Sequence, residues 1–351
     1  MIYSYMEVYW KVINNTGKDI QAELLDDYFV LVDKEEKVDL DFCVELLNSE
    51  FKGLKEVLEF GDNIVIHSSK KPEIHEIGIG YDNGFTRIVY NQTTKTVYKL
   101  NYLNRKITIY NKDISAISRD YIRIVRDITK VMVEKKGDSV LLHAAALQSP
   151  TGQGLLLIGG KKSGKTTTSL NLIYNYGFTE VSRDRTFVSK DTENAFIMNG
   201  WPNYYNLTMK TLVGFQQTKN LLPNKYMDLS VKELEDVNEK VQFLPQEINI
   251  TKKKNVAPLT HLVVLHGKNE KSSDLYDTIA ANCYTPNDLN NPNWHNWDFA
   301  KNIDRKNAID FVDTLIKKTP IIVSDYQEDI GIRLNQMLEG VGNNERNKIS
   351  Y

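Results

Sequence analysis

The chain has 351 residues, of which 41% are hydrophobic and 26% are charged, and its formal net charge is −2. This near-neutral composition excludes the basic surface of a general nucleic-acid-binding protein, and no apolar run reaches the ~20 residues that span a bilayer. The two cysteines, Cys43 and Cys283, do not have the spacing of a disulfide framework or a zinc site, which suits a reducing compartment. From the cysteines, the charge and the hydropathy together we predict a cytoplasmic protein with neither nucleic acid nor membrane as its partner.

The length suits about two domains, and residues 1–113 are predicted to form the first, a β-rich N-terminal domain that could recognise the acceptor. The clearest local signal there is the tripeptide DNG at 82–84, which is typical of a hairpin turn between two strands. Segment 40–58 is the one helix that the sequence predicts in this domain. The abundant tyrosines are interpreted as sheet packing rather than as a ligand platform.

Residues 114–340 are predicted to form an α/β domain, followed by a flexible tail at 341–351. Apolar residues at helical spacing predict a helix over 117–134, and a single buried strand is predicted over 140–147. A second buried strand at 155–158 leads into a glycine-rich loop and another helix. Alternation of strands and helices is typical of a core with helices packed on a sheet.

The C-terminal part of this domain is predicted to continue the same alternation. Its predicted elements are a polar, helix-prone stretch at 216–255, strands at 259–265 and 321–324, and helices at 309–317 and 330–338. The intervening segment 281–298 is rich in Asn, Pro and Trp and is predicted to be a long loop. Either it is a plain surface loop, or Trp294 and Trp297 form a lid over bound phosphates or a bound peptide.

The strongest functional signal is the segment LLLIGGKKSGKTTTS at 155–169. The fixed positions of the phosphate loop G-x-x-x-x-G-K-[ST] are filled by Gly159, Gly164, Lys165 and Thr166. In such a loop, backbone N–H groups bind a polyphosphate at a helix N-terminus, the lysine reaches the β- and γ-phosphates, and the threonine hydroxyl binds Mg²⁺. The predicted nucleotide-binding residues are Gly159, Gly160, Lys161, Lys162, Ser163, Gly164, Lys165, Thr166 and Thr167.

An acidic partner for this loop is predicted at Asp184, in the segment VSRDRTF that follows the next strand at 178–182. A short crossover helix should place that strand directly beside the phosphate-loop strand, and ligands collect beyond the carboxyl ends of such strands. Asp184 is therefore expected to face the phosphates, as a metal ligand or as a base that accepts a hydroxyl proton. The alternative is a plain turn residue.

Other nearby side chains carry weaker predictions. Arg185 would stabilise the charge of a transferred phosphate or remain a solvated or ion-paired arginine, and the second role is favoured for Arg183. Lys161 and Lys162 would add positive potential or simply face solvent. His143 lies within the apolar segment VLLHAAAL just before the phosphate-loop strand, and it is either a core residue or a member of the site.

The segments HAAAL, GLLLIGG, GKKSGKTT, VSRDRTF and GWP together resemble the HPr kinase/phosphorylase family, whose fold class includes phosphoenolpyruvate carboxykinase. The resemblance covers about residues 138–338 and is most specific at 143–187. It implies a phosphate-loop kinase core in which residues 159–166 bind the phosphates of ATP and Mg²⁺. It also implies that Asp184 is the catalytic acid/base and that His143 is the histidine of the family's strand.

The chain departs from that family at two places. The family usually has two adjacent aspartates, and here Arg183 stands in the first position. A downstream glutamate is also missing, since the chain reads MNGWP at 198–202. These departures disfavour HPr as the acceptor and disfavour phosphorylase activity. The chain resembles more closely the relatives that phosphorylate serine on ribosomally made peptides, including lasso-peptide precursors. Because HPr kinases are commonly hexameric, a homo-oligomer is also possible.

The predicted function is therefore transfer of the γ-phosphate of ATP, with Mg²⁺, to the serine hydroxyl of a peptide or protein. The same residues would also suit a kinase of a free small metabolite. A third interpretation is a nucleotide-dependent regulatory module with little transfer activity, in which the β-rich half recruits a partner. Acceptor-dependent production of ADP separates an enzyme from a module, and the choice between peptide and metabolite acceptors separates the two kinases.

Overall fold

The computed structural model describes residues 1–33, 38–69, 72–266, 275–285, 292–297, 305–324 and 330–339. The chain divides into two compact units, one formed by Met1–Gly137 with Tyr284–Arg305 and the other by Asp138–Cys283 with Lys306–Tyr351. This division differs from the predicted boundary at residue 113, because a helix that follows that residue packs on the sheet of the first unit. The predicted flexible tail at 341–351 lies outside the described residues.

The first unit is β-rich, as expected. Its helices and strands in chain order are β1 (Ile2–Tyr5), β2 (Val8–Asn14), α1 (Glu23–Asp26), β3 (Val30–Leu31), β4 (Phe42–Asn48), α2 (Leu54–Phe60), β5 (Asp62–His67), β6 (Glu76–Asn83), β7 (Thr86–Asn91), β8 (Val97–Asn101), β9 (Lys106–Asn111) and α3 (Ile114–Lys135). These strands form a sheet in the order β3-β1-β2-β4-β9-β8-β7-β6-β5, in which β2, β4 and β9 run parallel. The apolar face of α3 packs on β9, β4 and β2.

The predicted helix over 40–58 is wrong in its first half. Residues Phe42–Asn48 form strand β4, and the helix of this region is the shorter α2, Leu54–Phe60. Strand β4 pairs on both edges, with β2 and with β9, which satisfies its backbone and buries alternate side chains. The apolar spacing of the segment suited a helix, but pairing with distant strands decided the structure.

The remaining elements are a mixture of strands and helices. In chain order they are β10 (Ser139–Leu142), β11 (Ala144–Gln148), β12 (Gly154–Gly159), α4 (Lys165–Tyr176), β13 (Thr179–Ser182), β14 (Thr186–Lys190), β15 (Phe196–Gly200), β16 (Tyr205–Thr208), α5 (Met209–Val213), α6 (Val231–Asp236), β17 (Lys240–Phe243), β18 (Val256–Pro258), β19 (His261–Leu265), α7 (Leu275–Ala281), α8 (Arg305–Lys318), β20 (Ile321–Ser324) and α9 (Ile330–Glu339). Together they give the second unit a mixed α/β fold with several sheets.

Two sheets of this unit matter for the site. The β12 sheet has the strand order β13-β11-β12-β19-β20, and the β14 sheet has the order β10-β14-β15-β18. Strand β12 runs parallel to β19, and β19 runs parallel to β20. Strand β11 is antiparallel to both of its neighbours, β12 and β13.

The single strand predicted over 140–147 is in fact two strands separated at His143. Strand β10 pairs with β14 in the β14 sheet, whereas β11 pairs with β12 and β13 in the β12 sheet. At the break, the backbone N–H of His143 donates to the backbone oxygen of Asn282 at 2.7 Å. The chain therefore leaves one sheet and enters the other at this residue.

The expectation that β13 lies directly beside β12 is also wrong, because β11 is inserted between them. Two strands that run parallel can accept an antiparallel strand between them, and the short segment before β12 supplies it. In the ladder between β11 and β13, Ala146 pairs with Ser182, the last residue of β13. The end of β13 therefore still lies at the same edge of the sheet as the end of β12.

The β12 sheet is buried on both faces, which explains its nearly continuous apolar sequence. Leu156 and Ile158 belong to a core that includes residues of the β14 sheet and of α7 and α8. Leu155 and Leu157 belong to a second core shared with α4 and α9. Helices thus cover the sheet, yet none of those in the described residues combines the length and apolar character of a membrane-spanning segment.

Candidate functional site

The loop between β12 and α4, residues 159–166 and here called the glycine loop, has a backbone that requires glycine at two of its conserved positions. Gly164 is the N-cap of α4 and has a φ of 97°, in the left-handed region that side chains disfavour. A Cβ on Gly159 would lie 2.3 Å from the backbone oxygen of Leu265 and 2.6 Å from Ser163 Oγ. The loop therefore folds closely against the end of β19.

Two polar side chains lie inside this loop. Lys165 is buried, and its Nζ donates to the backbone oxygens of Gly159 at 2.6 Å and Gly160 at 3.2 Å. Ser163 is only 3% exposed, and its Oγ has no hydrogen-bond partner among the described residues. Because buried polar groups are normally paired, this hydroxyl fits a site that is completed by the oxygen of a ligand.

The other predicted binding residues lie at the rim of the loop. Lys161 and Lys162 are exposed, so their contribution to a bound anion would come from positive potential at the surface. Thr166 is half-buried and Thr167 is exposed, both in the first turn of α4. The helix begins at Lys165 and its C-cap is Gly177, which has a φ of 68°.

His143 and Asp184 meet beside the glycine loop. Ala144 pairs with Ile158 in the antiparallel ladder between β11 and β12, which places the preceding residue, His143, next to Gly159. The Nε2 atom of His143 lies 3.2 Å from Oδ1 of Asp184. The sheet-to-sheet break at His143 therefore brings this histidine to the acidic side chain, rather than into the apolar core.

The turn that carries Asp184 is fixed by its neighbours. Ser182 Oγ donates to the backbone oxygen of Arg185 and accepts from the backbone N–H of Trp201 at 3.1 Å. Thr186 Oγ1 donates to the backbone oxygen of Ala144 at 2.9 Å, which ties β14 to the start of β11. The turn between β13 and β14 is thus held at both of its ends.

The electrostatic surroundings of Asp184 favour its ionised form. Burial raises the pKa of Asp184, whereas the hydrogen bond and the charge of His143 lower it. The charges of Arg185 and Lys165 lower it further, and the resulting pKa lies well below the usual range of a carboxyl group. The side chain remains 44% exposed, so an ionised carboxylate faces solvent beside the glycine loop.

Arg183 and Arg185 have different positions on either side of Asp184. Arg183 is buried, its Nη2 lies 3.1 Å from Oε1 of Glu180, and its guanidinium lies 4.9 Å from the ring centre of Tyr205. The favoured ion-paired role of Arg183 therefore matches its position. Arg185 is half-buried and close enough for its charge to act on Asp184.

The sequence did not predict Asn203 as a member of the site. Its Nδ2 donates to Oδ2 of Asp184 at 2.9 Å, so the two carboxylate oxygens are held by different side chains. Asn203 comes shortly after β15, which forms a hairpin with β14 and returns to the turn at Asp184. Its approach to Asp184 follows from the pairing of Thr186 with Gly200 in that hairpin, which no sequence motif marks.

The structure does not support the lid, which was one of the two interpretations of the segment that contains Trp294 and Trp297. Both side chains are buried within the first unit. Trp294 Nε1 donates to Oδ2 of Asp127 at 2.9 Å, and the ring of Trp297 packs against those of Phe42 and Tyr102. Because the rings are already enclosed by their own unit, they contribute to its core.

A metal ion at this site would rely on few protein ligands. In the described part of the chain, no group of three or more His, Cys, Asp or Glu side chains is arranged to hold a metal. Proteins usually hold Mg²⁺ through one or two side chains together with phosphate oxygens and water. Thr166 and Asp184 are the predicted ligands that the structure places at the loop and beside it.

Comparison with known proteins gives a distant structural relationship. No family model matches the sequence, and no curated protein matches it. Among solved structures, the chain is similar to the Hpr(Ser) kinase/phosphatase from Coxiella burnetii, with 12% sequence identity and a TM-score of 0.31. The match covers 57% of this chain and 95% of that chain. At this score the likeness carries no functional weight, and function is inferred below from the residues of the site.

Proposed function

We propose that this protein transfers the γ-phosphate of ATP to a hydroxyl group, with a serine of a peptide or protein as the acceptor. The observation that carries the proposal is the pairing of Asp184 with His143, at 3.2 Å, beside a glycine loop that contains a buried lysine. Phosphoryl transfer needs a loop that binds the phosphates and, next to it, a carboxylate that positions the acceptor hydroxyl. The choice of serine as acceptor rests on the sequence resemblance.

The glycine loop suits the triphosphate of ATP. The ammonium group of Lys165 donates to two backbone oxygens, and charged phosphate oxygens would be stronger acceptors at the same place. The unpaired Oγ of Ser163 would donate to a phosphate oxygen. Thr166 and Asp184 would hold Mg²⁺, which neutralises phosphate charge when it is bound.

The chemical step uses Asp184 as the group that receives the acceptor proton. The hydroxyl oxygen forms a bond to the γ-phosphorus, its proton passes to the carboxylate, and the bond from the γ-phosphorus to the β,γ-bridging oxygen breaks to release ADP. Because its pKa is low, Asp184 is a weak base whose main contribution is to orient the hydroxyl. Phosphoryl transfer depends mostly on such positioning and on charge stabilisation, so a weak base suffices.

His143 and Asn203 would keep Asp184 in that orientation. Each binds a different carboxylate oxygen, so rotation of the carboxylate would break both contacts. Arg183, the neighbour of Asp184, forms a buried pair with Glu180. By the sequence resemblance, a single carboxylate at this turn, in place of two adjacent ones, disfavours phosphorylase activity.

Turnover of the Lys165→Ala protein tests this function. With ATP and Mg²⁺, ADP production should depend on an acceptor, and the substitution should lower turnover by at least about 10²-fold, since it removes a charge that stabilises the transition state. ATP binding, followed by calorimetry, should weaken less because the backbone of the loop remains. Lys232→Ala is the matched control, because its side chain is exposed on α6 of the same unit, away from the glycine loop.

The acceptor probes should be serine-containing peptides and, separately, free serine and small sugars. Transfer to peptides alone supports the proposal, whereas transfer to small molecules alone identifies a metabolite kinase. ATP binding without acceptor-dependent ADP production would identify a regulatory module instead. Undiminished turnover in Lys165→Ala would overturn the assignment of the glycine loop.

A further inference from the structure

A cleft of about 450 Å³ lies against the glycine loop, within the second unit. Its walls include Ser163 and Gly164 of the loop, Leu265 and His266 at the end of β19, and Ser324 at the end of β20. In the strand order, β19 and β20 lie on one side of β12, whereas β11 and β13 lie on the other. The cleft therefore adjoins the loop from the side away from the strands that carry His143 and Asp184.

One wall of the cleft is a row of polar residues on α4. Thr167, Asn171 and Asn175 all line it, and their spacing of four residues places them on the same helix face. The row extends about 12 Å along the helix axis, at 1.5 Å per residue. It begins next to the glycine loop, so a ligand held by the loop could extend directly along it.

The lining of the cleft also includes an aromatic ring and two further amides. Phe215, Gln216 and Gln217 supply them, and Phe215 is half-buried with its ring packed against that of Tyr174. A flat ring beside several amides is the chemistry that recognises a nucleobase, whose faces are apolar and whose edge carries both donors and acceptors. The cleft volume also lies within the range of about 300–1,000 Å³ typical of small-molecule sites.

We propose that this cleft binds the nucleoside part of the nucleotide, with its base between Phe215 and the amides of α4 and its phosphates in the glycine loop. This inference rests on the proposed function and adds the orientation of the bound nucleotide. With the nucleoside on the β19 and β20 side, the γ-phosphate points toward the β11 and β13 side, where Asp184 lies. The acceptor hydroxyl would then approach from the Asp184 side of the loop.

The charge of the cleft supports a nucleoside rather than an acceptor peptide. Among the described residues that line it there is no carboxylate, and its one lysine, Lys210, pairs with Glu235 at 2.5 Å. Neutral amides discriminate the edge of a base without attracting a charged peptide. Ser163 belongs both to the glycine loop and to the lining of the cleft, and its hydroxyl has no hydrogen-bond partner among the described residues.

The test compares the binding of ATP and of inorganic tripolyphosphate to the full chain by titration calorimetry. Asn175 and Gln216 are exposed, so the double variant Asn175→Ala/Gln216→Ala should fold normally. It should weaken ATP binding about tenfold, as expected for the loss of two hydrogen bonds, and leave tripolyphosphate binding unchanged. The matched control, Asn224→Ala/Gln246→Ala, removes two exposed amides of the same unit outside the cleft and should change neither.

The remaining outcomes separate this inference from the proposed function. Lys165→Ala should lower the affinity for both ATP and tripolyphosphate, because both ligands place phosphates in the glycine loop. If Lys165→Ala has this effect and the cleft variant binds ATP normally, the nucleoside lies elsewhere. The inference about the cleft then fails, whereas the proposed function stands. The inference also fails if the variant weakens tripolyphosphate equally, or if it changes only the KM of a peptide acceptor. Failure of the unaltered protein to bind either ligand overturns both proposals.

Discussion

The two units place a carboxylate among basic side chains in contrasting ways. In the first unit, Glu76 on β6 is 4% exposed. Its Oε1 accepts from Arg119 and Arg123 of α3, and its Oε2 accepts from Asn91 at 3.1 Å. Every oxygen of this carboxylate is thus bound within the unit, in a contact that fastens α3 to the sheet.

Asp184 in the second unit has partners on both oxygens as well, but its side chain is 44% exposed. Its hydrogen-bond partners are one histidine and one amide, and the charges of Lys165 and Arg185 act on it without being its principal contacts. Solvent access, rather than the presence of cations, therefore distinguishes a carboxylate that stabilises the fold from one that can receive a proton. Three substitutions test this difference.

The largest effect is expected for Asp184→Asn. Phosphotransfer, measured as incorporation from γ-labelled ATP, should fall by about 10²–10⁴, because the substitution removes both the proton acceptor and the charge that orients the hydroxyl. Thermal stability should change little, since pairs that are this exposed contribute about 0–1 kcal/mol. Asp138→Asn is the control, because it removes the same charge from an exposed position of the same unit. A mutant that transfers phosphate at the normal rate would make Asp184 a turn residue.

Glu76→Gln should act on stability instead. We expect the first unit to lose about 3 kcal/mol of unfolding free energy, the lower end of the range for breaking a buried pair, because Arg119 is half exposed. Urea denaturation measures the loss. Glu50→Gln is the control, since its pair with Lys112 is exposed and screened by solvent, and its loss should leave the free energy of unfolding nearly unchanged. Lost phosphotransfer with unchanged stability would contradict the structural role.

The smallest effect is expected for His143→Gln, read out as a shift in the pH profile of kcat/KM. Because the hydrogen bond and charge of His143 lower the pKa of Asp184, their removal should raise that pKa. A base with a raised pKa is protonated at higher pH, so the acidic limb should move upward. His261→Gln is the control, since His261 lies at the opposite end of β12 from the loop. An unmoved limb would show that His143 does not tune Asp184.

The glycine loop and α4 could be predicted because their determinants are local. The backbone at Gly164 and Gly177 has positive φ, and glycine marks both ends of the helix in the sequence. Lys165 follows Gly164 directly, so its burial inside the loop follows from the same short segment. Local sequence therefore determined the part of the site that would bind phosphates.

The rest of the site depends on contacts between distant segments, which the sequence pattern does not contain. The break at His143 arises because β10 and β11 pair with strands of different sheets. Asn203 reaches Asp184 only through the β14–β15 hairpin. The burial of Trp294 and Trp297 depends on their return to the first unit, far along the chain from its other residues. Composition suggested a loop there and could not show what the rings contact.

The crossing between the two sheets also predicts where this protein tolerates changes of length. The chain crosses at His143 and again at the Asp184 turn, so an inserted residue at either place would disturb the contact between His143 and Asp184. The turn of the β14–β15 hairpin, near Glu193, is exposed and lies at the far end of that ladder, where Lys190 pairs with Phe196. A peptide tag or fluorophore attachment sequence placed there would leave the pairing of Thr186 with Gly200 intact, and so offers a labelling position that spares the site.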